Sequence, residues 1–370
     1  MRIGILTLPL HTNYGGILQA YALQTVLERM GHEVVVFDQP YVYSISNFRK
    51  LFAYPKRMIS KYVLRKHGIV RWEEYVSKMN LTIRQYTQPF IDNNIHRKEV
   101  EKLSELNERD YDMLVVGSDQ IWRPLYYPKI ENAYLKFAQG WKVKRVAYAP
   151  SFGVDTWEYN AKQTKTCKRL LAKFDAVSVR EISGVKLCKN HLDSDAEWVL
   201  DPTMLLTAND YMSLFMRSKT PKSKGTLLNY ILDTTEKTQS MVSELAVIKG
   251  LQPFRVNAFV EDAQVSLENR IQPPVELWLR GFYDAELVLT DSFHACVFSI
   301  LFKKQFVVIG NRKRGMARIE SLLGMVGLKD RMIETVEDAV QLDAINYDMV
   351  HEKLEEMRAA SMQFLSHYAI

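Results

Sequence analysis

The sequence predicts an α/β protein made of two Rossmann-type domains, each built on a parallel sheet, that face each other across a cleft. Short runs rich in Val, Ile and Leu alternate with helical patterns, which is typical of parallel strands covered on both faces. This pattern restarts after a polar, basic segment with Pro and Gly at residues 217–225. In addition, the chain has 370 residues, whereas one hydrophobic core rarely exceeds about 250–300 residues.

The first domain is predicted to cover residues 1–216. Its first strand leads through a turn into a helix whose apolar side chains recur at helical spacing, and Gly31 is suited to end that helix. The remaining strands are continuous apolar runs, as expected for strands buried on both faces. The predicted strands lie at residues 3–8, 33–38, 111–117, 143–151, 175–180 and 197–201.

The second domain is predicted to cover residues 217–346 and repeats the same alternation of strands and helices. Residues 347–370 are predicted to form a final helix, and we consider an arrangement in which it packs back on the first domain. The predicted strands of the second domain lie at residues 226–233, 252–257, 286–290 and 305–310, with helices at 235–250, 273–285 and from Ser292 onward.

Residues 41–80 interrupt the strand–helix alternation and are interpreted as a helical insertion in the first domain. The segment contains nine Lys or Arg residues, two Glu residues and eight aromatic residues. Two interpretations are open. The insertion either has a solvated basic face, or it contacts a headgroup surface or a pyrophosphate-bearing lipid, which basic stems with interleaved aromatic rings would suit.

Composition limits the classes of partner. The net charge of +6 is mildly basic, which suits anionic ligands but is too weak to indicate nucleic acid. The three cysteines lie far apart, so neither a zinc site nor a disulfide framework is expected. No signal peptide or membrane span is expected either. We therefore predict a cytoplasmic protein, with the inner membrane face as a peripheral contact under the second interpretation of the insertion.

Candidate binding residues follow the first strand. In open α/β sheets, ligands bind beyond the carboxyl ends of strands, where helix N-termini supply N–H groups and a positive dipole. Asn13, Gly15 and Gly16 lie in the first such turn, and the two glycines let the backbone approach a ligand closely. The turn is either an anion-binding turn or a plain tight turn with Asn13 as the helix cap.

A second candidate turn follows the strand at residues 111–117 and contains Ser118, Asp119 and Trp122. An indole ring offers a flat apolar face on which a sugar ring could stack. Gly117 allows a sharp turn that exposes Ser118 and Asp119. The alternative is structural, with Asp119 capping a helix and Trp122 in the core.

Basic residues follow two other strands. Arg180 ends the strand at residues 175–180, where a guanidinium can clamp a carboxylate or phosphate, although a surface pair with Glu181 is the alternative. Arg312, Arg314 and Arg318 follow the strand at residues 305–310. We expect one or two of them to meet a phosphate, since runs of charge are usually solvated.

Asp291, Ser292 and His294 lie within four residues of each other after the strand at residues 286–290. Ser292 is suited to cap the next helix, which places His294 in the first turn, where anions are attracted. A histidine there is compatible with a structural or a catalytic role. The sequence lacks the GxSxG pattern of a hydrolase elbow, so a serine nucleophile is not expected.

With these motifs in order, the sequence resembles the polysaccharide pyruvyl transferase family. The resemblance rests on an ordered set of motifs from residue 3 to about residue 330, and excludes residues 41–80 and the last forty. The motifs are NYGGILQAYAL at 13–23, VVGSDQIW at 115–122, YAPSFG at 148–153, SVRE at 178–181, LDPT at 200–203 and DSFH at 291–294.

The resemblance implies a GT-B-like fold and transfer of pyruvate from phosphoenolpyruvate to two hydroxyls of a sugar in a surface polysaccharide or its lipid-linked precursor. The products would be a cyclic ketal and phosphate. It implies a catalytic role for His294 and a donor-binding role for Arg180. For this chemistry we further expect Asp291 to orient the histidine or cap the helix and Asp119 to bond an acceptor hydroxyl. We expect the first domain to be the acceptor side. Some branches carry Arg where this chain has Ser292 or Phe293, so Arg312, Arg314 or Arg318 would supply that anion contact.

We expect no cofactor and no metal. The partners expected are phosphoenolpyruvate as donor substrate and a saccharide acceptor on a carrier. Two other functions remain open: a GT-B glycosyltransferase that uses a nucleotide sugar, and a non-catalytic subunit of a polysaccharide assembly complex. The glycosyltransferase requires a carboxylate for a ribose in the second domain, and only Glu276 and Glu286 are candidates.

Overall fold

Two parallel sheets organise the chain, which confirms the predicted class of two parallel-sheet α/β domains. The computed structural model describes residues 1–39, 47–63, 69–311 and 314–369. Within them the first sheet has seven strands in the order β3-β2-β1-β4-β5-β6-β7. Every strand pairing in it is parallel. Its strands are β1 (Arg2–Leu6), β2 (Glu33–Asp38), β3 (Arg97–Glu99), β4 (Met113–Val116), β5 (Lys144–Ala147), β6 (Ala176–Val179) and β7 (Glu197–Trp198).

Helices cover this first sheet, whose central strands are apolar along their whole length. Leu114, Val115 and Val116 of β4 are fully buried, as a strand between two helical layers requires. The helices are α1 (Tyr14–Arg29), α2 (Asn47–Met58), α3 (Trp72–Ile83), α4 (Gln88–Asn94), α5 (Ala161–Leu171), α6 (Ile182–Leu187) and α7 (Ala208–Arg217).

The second sheet has five strands in the order β12-β11-β10-β8-β9, and its pairings are parallel as well. Its strands are β8 (Leu227–Tyr230), β9 (Pro253–Phe254), β10 (Leu287–Thr290), β11 (Gln305–Ile309) and β12 (Met332–Ile333). Its helices, with the final helix, are α8 (Glu236–Lys249), α9 (Val275–Asp284), α10 (Phe293–Leu301), α11 (Ala317–Val326), α12 (Val336–Gln341) and α13 (Tyr347–Tyr368).

The two domains share one apolar core at their junction. The ring of Tyr14 at the start of α1 stacks on Trp278 of α9, with ring centroids 5.3 Å apart. The Tyr14 hydroxyl also lies within hydrogen-bond distance of two second-domain carbonyls, those of Val256 and Pro273. Tyr211 of α7 meets Phe298 of α10 edge to face. Burial of these large aromatic side chains holds the domains together.

The final helix α13 contacts residues that precede position 217. Ser361 Oγ accepts a hydrogen bond from the backbone N–H of Leu200, and Arg358 Nε donates to the carbonyl of Met204. The ring of Phe364 packs against Tyr148. The helix therefore supports the loop that follows β7.

The insertion is helical where it is described. It contains α2, a π-helical turn at Ile59–Val63 and the start of α3, whereas residues 40–46 and 64–68 lie outside the described residues, as do Arg65 and Lys66. In the part of the chain that is described, we find no helix with the length and apolar composition needed to cross a bilayer.

Candidate functional site

The strand orders determine where the site lies. In the first sheet the order reverses between β1 and β4, and in the second sheet between β8 and β10. Loops that follow two such strands leave in opposite directions and open a crevice at the carboxyl ends. Asn13 follows β1, Asp119 follows β4 and His294 follows β10, so the topology brings these residues to the two switch points.

Arg180 is the centre of a buried charge cluster. Its Nη2 lies 2.8 Å from Oδ1 of Asp119 and its Nη1 lies 2.5 Å from Oδ2 of Asp201. The Arg180 side chain is fully buried, and its guanidinium lies over the ring of Phe293 at 4.9 Å from the centroid. The predicted surface pair with Glu181 is not the main contact, because two other carboxylates take both amino groups. In this structure Arg180 is therefore occupied by the protein's own carboxylates.

The carboxylate of Asp201 contacts Thr203, Arg180 and His294. Asp201 caps a short 3₁₀ turn, and its Oδ1 accepts hydrogen bonds from the backbone N–H and the hydroxyl of Thr203. Burial alone would raise the pKa of Asp201, but the neighbouring imidazole of His294 and the charge of Arg180 outweigh burial and lower the pKa far below its ordinary value. Asp201 thus stays ionised inside the protein.

Asp119 is held in an unusual backbone conformation. Its φ of 59° lies in the left-handed region, which is uncommon for a residue other than glycine and is often found at functional sites. Its Oδ2 lies 3.4 Å from Asn13 Nδ2, a long contact. Burial would raise the pKa of Asp119, but the charges of Arg180, His294 and Arg318 lower it below its ordinary value.

His294 lies in the first turn of α10, as the sequence predicts, and it contacts the first domain on two sides. Its Nε2 is 3.7 Å from Oδ2 of Asp201, too long for a hydrogen bond but within ion-pair reach of a protonated ring. Gly15 packs directly on the other side, since a Cβ at that position would lie 1.9 Å from Nδ1 of His294. Only glycine at position 15 leaves room for the imidazole.

Arg318 is the cation of this region that lacks a carboxylate partner among the described residues. Its side chain is buried, and its guanidinium lies over the Phe293 ring, 5.9 Å from the centroid. Nη2 donates to the carbonyl of Arg314, and Nε is buried without a partner. Burial and the nearby charge of Arg180 lower the pKa of Arg318 to about 10, so the group is still a cation at neutral pH.

Trp122 has a structural role, which contradicts the prediction that its ring stacks on a sugar. Trp122 is fully buried and stacks on Tyr134 at 4.8 Å, and its Nε1 donates to the carbonyl of Ala133. The ring therefore presents no open face to a sugar. Ser118 is equally buried, and its hydroxyl lies 2.8 Å from the carbonyl oxygen of Ala149 and 3.4 Å from Oδ2 of Asp201, so it adjoins the charge cluster. The alternative interpretation of Trp122 as a core residue describes it correctly.

Asp291 does not orient His294, and this corrects a second prediction. Its carboxylate accepts hydrogen bonds from the N–H groups of Leu232 and Asp233 and from Nδ2 of Asn311, so it joins the loops that follow β8 and β11. The carboxylate next to His294 is that of Asp201. Ser292 occupies the cap position of α10, but its hydroxyl makes no capping hydrogen bond.

The basic loop after β11 contributes one residue to the cluster. Arg318 is part of it, whereas Arg314 pairs with Asp233 and Glu261 in the second domain. Arg312 lies outside the described residues. Gly16 is adjacent to Asn13, whose amide is 3.3 Å from the position of a Cβ at residue 16.

The centre of the site is closed. A cavity of about 10 Å³ adjoins Arg180, Asp201 and Phe293, and a space of that size holds about one water molecule. The predicted cleft is therefore filled at this point by side chains of both domains. A larger concave region, of about 300 Å³, lies elsewhere, beside Asp175 and Asp193. In the described part of the chain, no group of His, Cys, Asp and Glu side chains is arranged to hold a metal.

Two residues of the cluster had no role in the sequence interpretation. Asp201 follows β7 in the motif LDPT, and Phe293 lies inside DSFH, so both were visible as motif residues. Their roles depend on contacts between segments almost a hundred residues apart in sequence, which periodicity does not reveal. The position of Asp201 at the end of a strand was the available signal.

The chain was compared with known protein families, curated proteins and solved structures. The family model described as polysaccharide pyruvyl transferase matches residues 13–313. A search of curated proteins found no match.

Solved structures with a similar course of the chain include several glycosyltransferases. UGT89C1 of Arabidopsis thaliana with UDP is 10% identical, with 99% of this chain and 94% of that chain covered and a TM-score of 0.46. The glycotransferase of kitacinnamycin is 11% identical, with 100% and 99% covered and a TM-score of 0.48. SsfS6 of Streptomyces sp. SF2575 with thymidine diphosphate is 12% identical, with 99% of both chains covered and a TM-score of 0.42. Because all three TM-scores are below 0.5, the fold assignment rests on the two sheets of the chain itself.

Proposed function

Because the chain belongs to the polysaccharide pyruvyl transferase family, we propose that it transfers pyruvate from phosphoenolpyruvate to two hydroxyls of one sugar and forms a cyclic ketal. The observation that carries this proposal is the convergence of Arg180, Asp201, His294 and Arg318 from both domains on one buried centre. We place the reaction in the cytoplasm, on a saccharide held by a carrier.

The donor requires two anion contacts, because phosphoenolpyruvate carries a carboxylate and a phosphate. Arg318 is the first, since its guanidinium is buried, charged and without a carboxylate partner in the described chain. Arg180 becomes the second when the donor replaces Asp119 or Asp201 on one of its amino groups. Because the present cavity holds about one water, donor entry requires the side chains or domains to move apart.

The chemistry needs a proton at the methylene carbon of the donor. We assign this transfer to His294, whose protonated form Asp201 stabilises from 3.7 Å away. The first sugar hydroxyl then attacks the central carbon and gives its proton to the now neutral imidazole of His294, which is protonated again for the next cycle. The C–O bond to phosphate breaks, the second hydroxyl closes the ring, and its proton leaves with the phosphate.

Asp119 and Asn13 are assigned to the acceptor side of the centre. Asp119 stays ionised, and its contact with Asn13 is long, so an acceptor hydroxyl has a carboxylate oxygen to bond. Both residues belong to the first domain, whereas His294 and Arg318 belong to helices of the second. The proposal thus places the acceptor against the first domain, and the donor between Arg180 of the first domain and Arg318 of the second.

The test is turnover with defined substrates. The protein is incubated with phosphoenolpyruvate and a carrier bearing galactose or an N-acetylhexosamine, and phosphate release is compared with the mass gain of the acceptor. His294→Ala is expected to abolish both at an unchanged unfolding temperature. His96→Ala, at an exposed residue beside Glu28, is expected to leave both intact. Sugar transfer from a nucleotide sugar without consumption of phosphoenolpyruvate would overturn the proposal.

A substitution of Arg318 tests the proposed contact with the donor. Arg318→Gln is expected to raise KM for phosphoenolpyruvate roughly 10- to 100-fold, the range expected for losing a charged hydrogen bond. Arg314→Gln is the comparison, because Arg314 is already paired with Asp233 and Glu261 and is expected to change KM little. Equal effects of the two substitutions would remove Arg318 from the donor site.

A further inference from the structure

The insertion carries exposed apolar and basic side chains that form one surface. We define the aromatic–basic patch by Lys56, Met58, Ile59, Lys61, Tyr62, Trp72 and Tyr75. Its apolar members are roughly half exposed or more, at 50% for Met58, 54% for Ile59, 67% for Tyr62, 45% for Trp72 and 47% for Tyr75. Side chains of this size are rarely exposed together on a protein without a partner surface.

One ion pair brings the two halves of the patch together. Arg57 of α2 donates two hydrogen bonds to the carboxylate of Glu73 on α3, at 2.8 and 2.9 Å. The Trp72 and Tyr75 rings lie one helical turn apart, with centroids separated by 5.8 Å. The ion pair therefore places the end of α2, which leads into the π-helical turn, beside the start of α3.

The charge of this surface is positive. The two acidic residues of the insertion are both used internally, since Glu73 pairs with Arg57 and Glu74 with Arg71. Lys56 and Lys61 have no acidic partner among the described side chains, and Lys61 lies 5.5 Å from the ring centroid of Tyr62. Lysines beside aromatic rings are typical of segments that lie at an anionic bilayer surface.

The insertion that carries the patch leaves the first sheet at the same end at which the site lies. The insertion leaves the carboxyl end of β2, and parallel strands all end at the same edge of the sheet. The last turn of α3 also contacts the second domain, because the carbonyl of Ile83 accepts from the N–H of Gln272. Thr87 Oγ1 donates to the carbonyl of His11, two residues before Asn13.

We propose that the aromatic–basic patch docks the protein on an anionic membrane surface and so presents a lipid-linked saccharide to the site. Docking itself depends only on the patch, whereas the delivery of the acceptor rests on the function proposed above. The occupant we commit to is the headgroup layer of a bilayer. The positive charge and the Trp72–Tyr75 pair favour it over a protein partner.

The test measures flotation of the full chain with vesicles. Wild-type protein is expected to float with vesicles of phosphatidylcholine and phosphatidylglycerol, but not with phosphatidylcholine alone, and added salt is expected to release it. Lys56→Gln with Lys61→Gln is expected to weaken binding roughly 30-fold, from two lysines near an anionic surface. Trp72→Ser with Tyr75→Ser is expected to reduce binding at all salt concentrations.

Matched controls come from exposed residues outside the patch. Lys162→Gln with Lys165→Gln on α5 removes the same charge, and Val247→Ser with Ile248→Ser on α8 removes exposed apolar surface. Both controls are expected to bind vesicles as the wild type does. Absence of flotation of the wild type with anionic vesicles, or equal losses in the lysine controls, would overturn the proposal and leave a protein partner as the occupant.

Activity assays separate this proposal from the proposed function. Patch variants are expected to transfer pyruvate to a soluble saccharide at the wild-type rate, and to act more slowly on a lipid-linked acceptor in anionic vesicles. A wild-type protein that floats but does not consume phosphoenolpyruvate would contradict the function and support the docking surface. Equal rates of patch variants and wild type on the vesicle-bound acceptor would contradict delivery by the patch.

Discussion

Three residues define the environment of the proposed proton-transfer group. Gly15 packs against one side of the His294 ring, Asp201 lies 3.7 Å from Nε2, and the Phe293 ring meets the His294 ring edge to face at 5.1 Å. The histidine was predictable from its motif and its place at a helix start. Asp201 as its partner was not, because the sequence offers Asp291 three residues away and gives no sign that Asp201 lies closer in space.

Replacement of Asp201 by Asn is the first prediction. The substitution keeps the shape of the side chain but removes the charge that stabilises protonated His294, so kcat is expected to fall by about 10²-fold or more. Asp119→Asn removes the other partner of Arg180 but keeps the carboxylate next to His294, so kcat is expected to fall less. Rates at saturating donor, with unfolding curves for both variants, check this. Equal losses of kcat in the two variants would contradict the role of Asp201 beside His294.

Addition of a methyl group at Gly15 is the second prediction. A Cβ there would lie 1.9 Å from His294 Nδ1, so Gly15→Ala is expected to displace the ring and lower kcat at least as much as Asp201→Asn. Gly16→Ala, in the same turn, meets only the Asn13 amide at 3.3 Å and is expected to have a smaller effect. Rates measured at saturating donor, with unfolding curves for both variants, check this. Equal rates would contradict the steric argument.

At the scale of elements, the sequence allowed most strands to be predicted, because continuous Val, Ile and Leu runs such as β4 and β10 have few alternatives between flanking turns. Side-chain roles in the loops were harder. Trp122 follows a strand just as a ligand-binding residue would, and only its stacking on Tyr134 identifies it as core. Likewise, α13 was visible as a helix, but its contacts with the loop after β7 depend on tertiary packing.

The support that α13 gives to this loop leads to the third prediction. Ser361→Ala removes the acceptor of the buried Leu200 N–H, next to Asp201, and is expected to cost about 1–3 kcal/mol in the free energy of unfolding. The measurement is chemical denaturation. Ser366→Ala on the exposed side of the same helix is expected to change the free energy little. Equal values for the two variants would show that Leu200 N–H finds another acceptor.

At the scale of the whole molecule, the domains are joined by a buried charge cluster as well as by apolar packing. Tyr14, Trp278 and Phe298 supply the apolar part. Arg180 with Asp119 and Asp201 supplies the polar part within the first domain, beside which His294 and Arg318 of the second domain lie. Buried ion pairs of this kind are costly to break from one side, because the remaining charge stays desolvated.

This cluster leads to the fourth prediction, on acid stability. The pKa values of Asp119 and Asp201 lie below their ordinary value of 3.8 in the folded protein. The stability they contribute is therefore complete above that ordinary value and is lost as the pH falls through the lower folded values. The free energy of unfolding is expected to fall steeply below about pH 4. Glu181 has the opposite effect on the pH dependence of stability. Burial raises its pKa, so its protonation at acidic pH favours the folded protein.

Urea unfolding at a series of acidic pH values measures this loss. Asp201→Asn is expected to give a lower free energy at neutral pH but a shallower decline toward acid, since one of the two titrating carboxylates is absent. Asp343→Asn, at an exposed residue of the chain between α12 and α13, is expected to keep the wild-type decline. Parallel curves for wild type and Asp201→Asn would show that other groups control acid unfolding.

The contact between Gly15 and His294 also limits how the two halves can be recombined. The glycine comes from the first domain and the imidazole from the second, and the fit between them leaves no room for a single methyl group. A chimera that joins either half to the matching half of another transferase would assemble this centre only if both surfaces of the contact came with it. A chain divided between α7 and β8 would likewise yield two inert fragments, and recovered turnover on mixing them would report their reassociation.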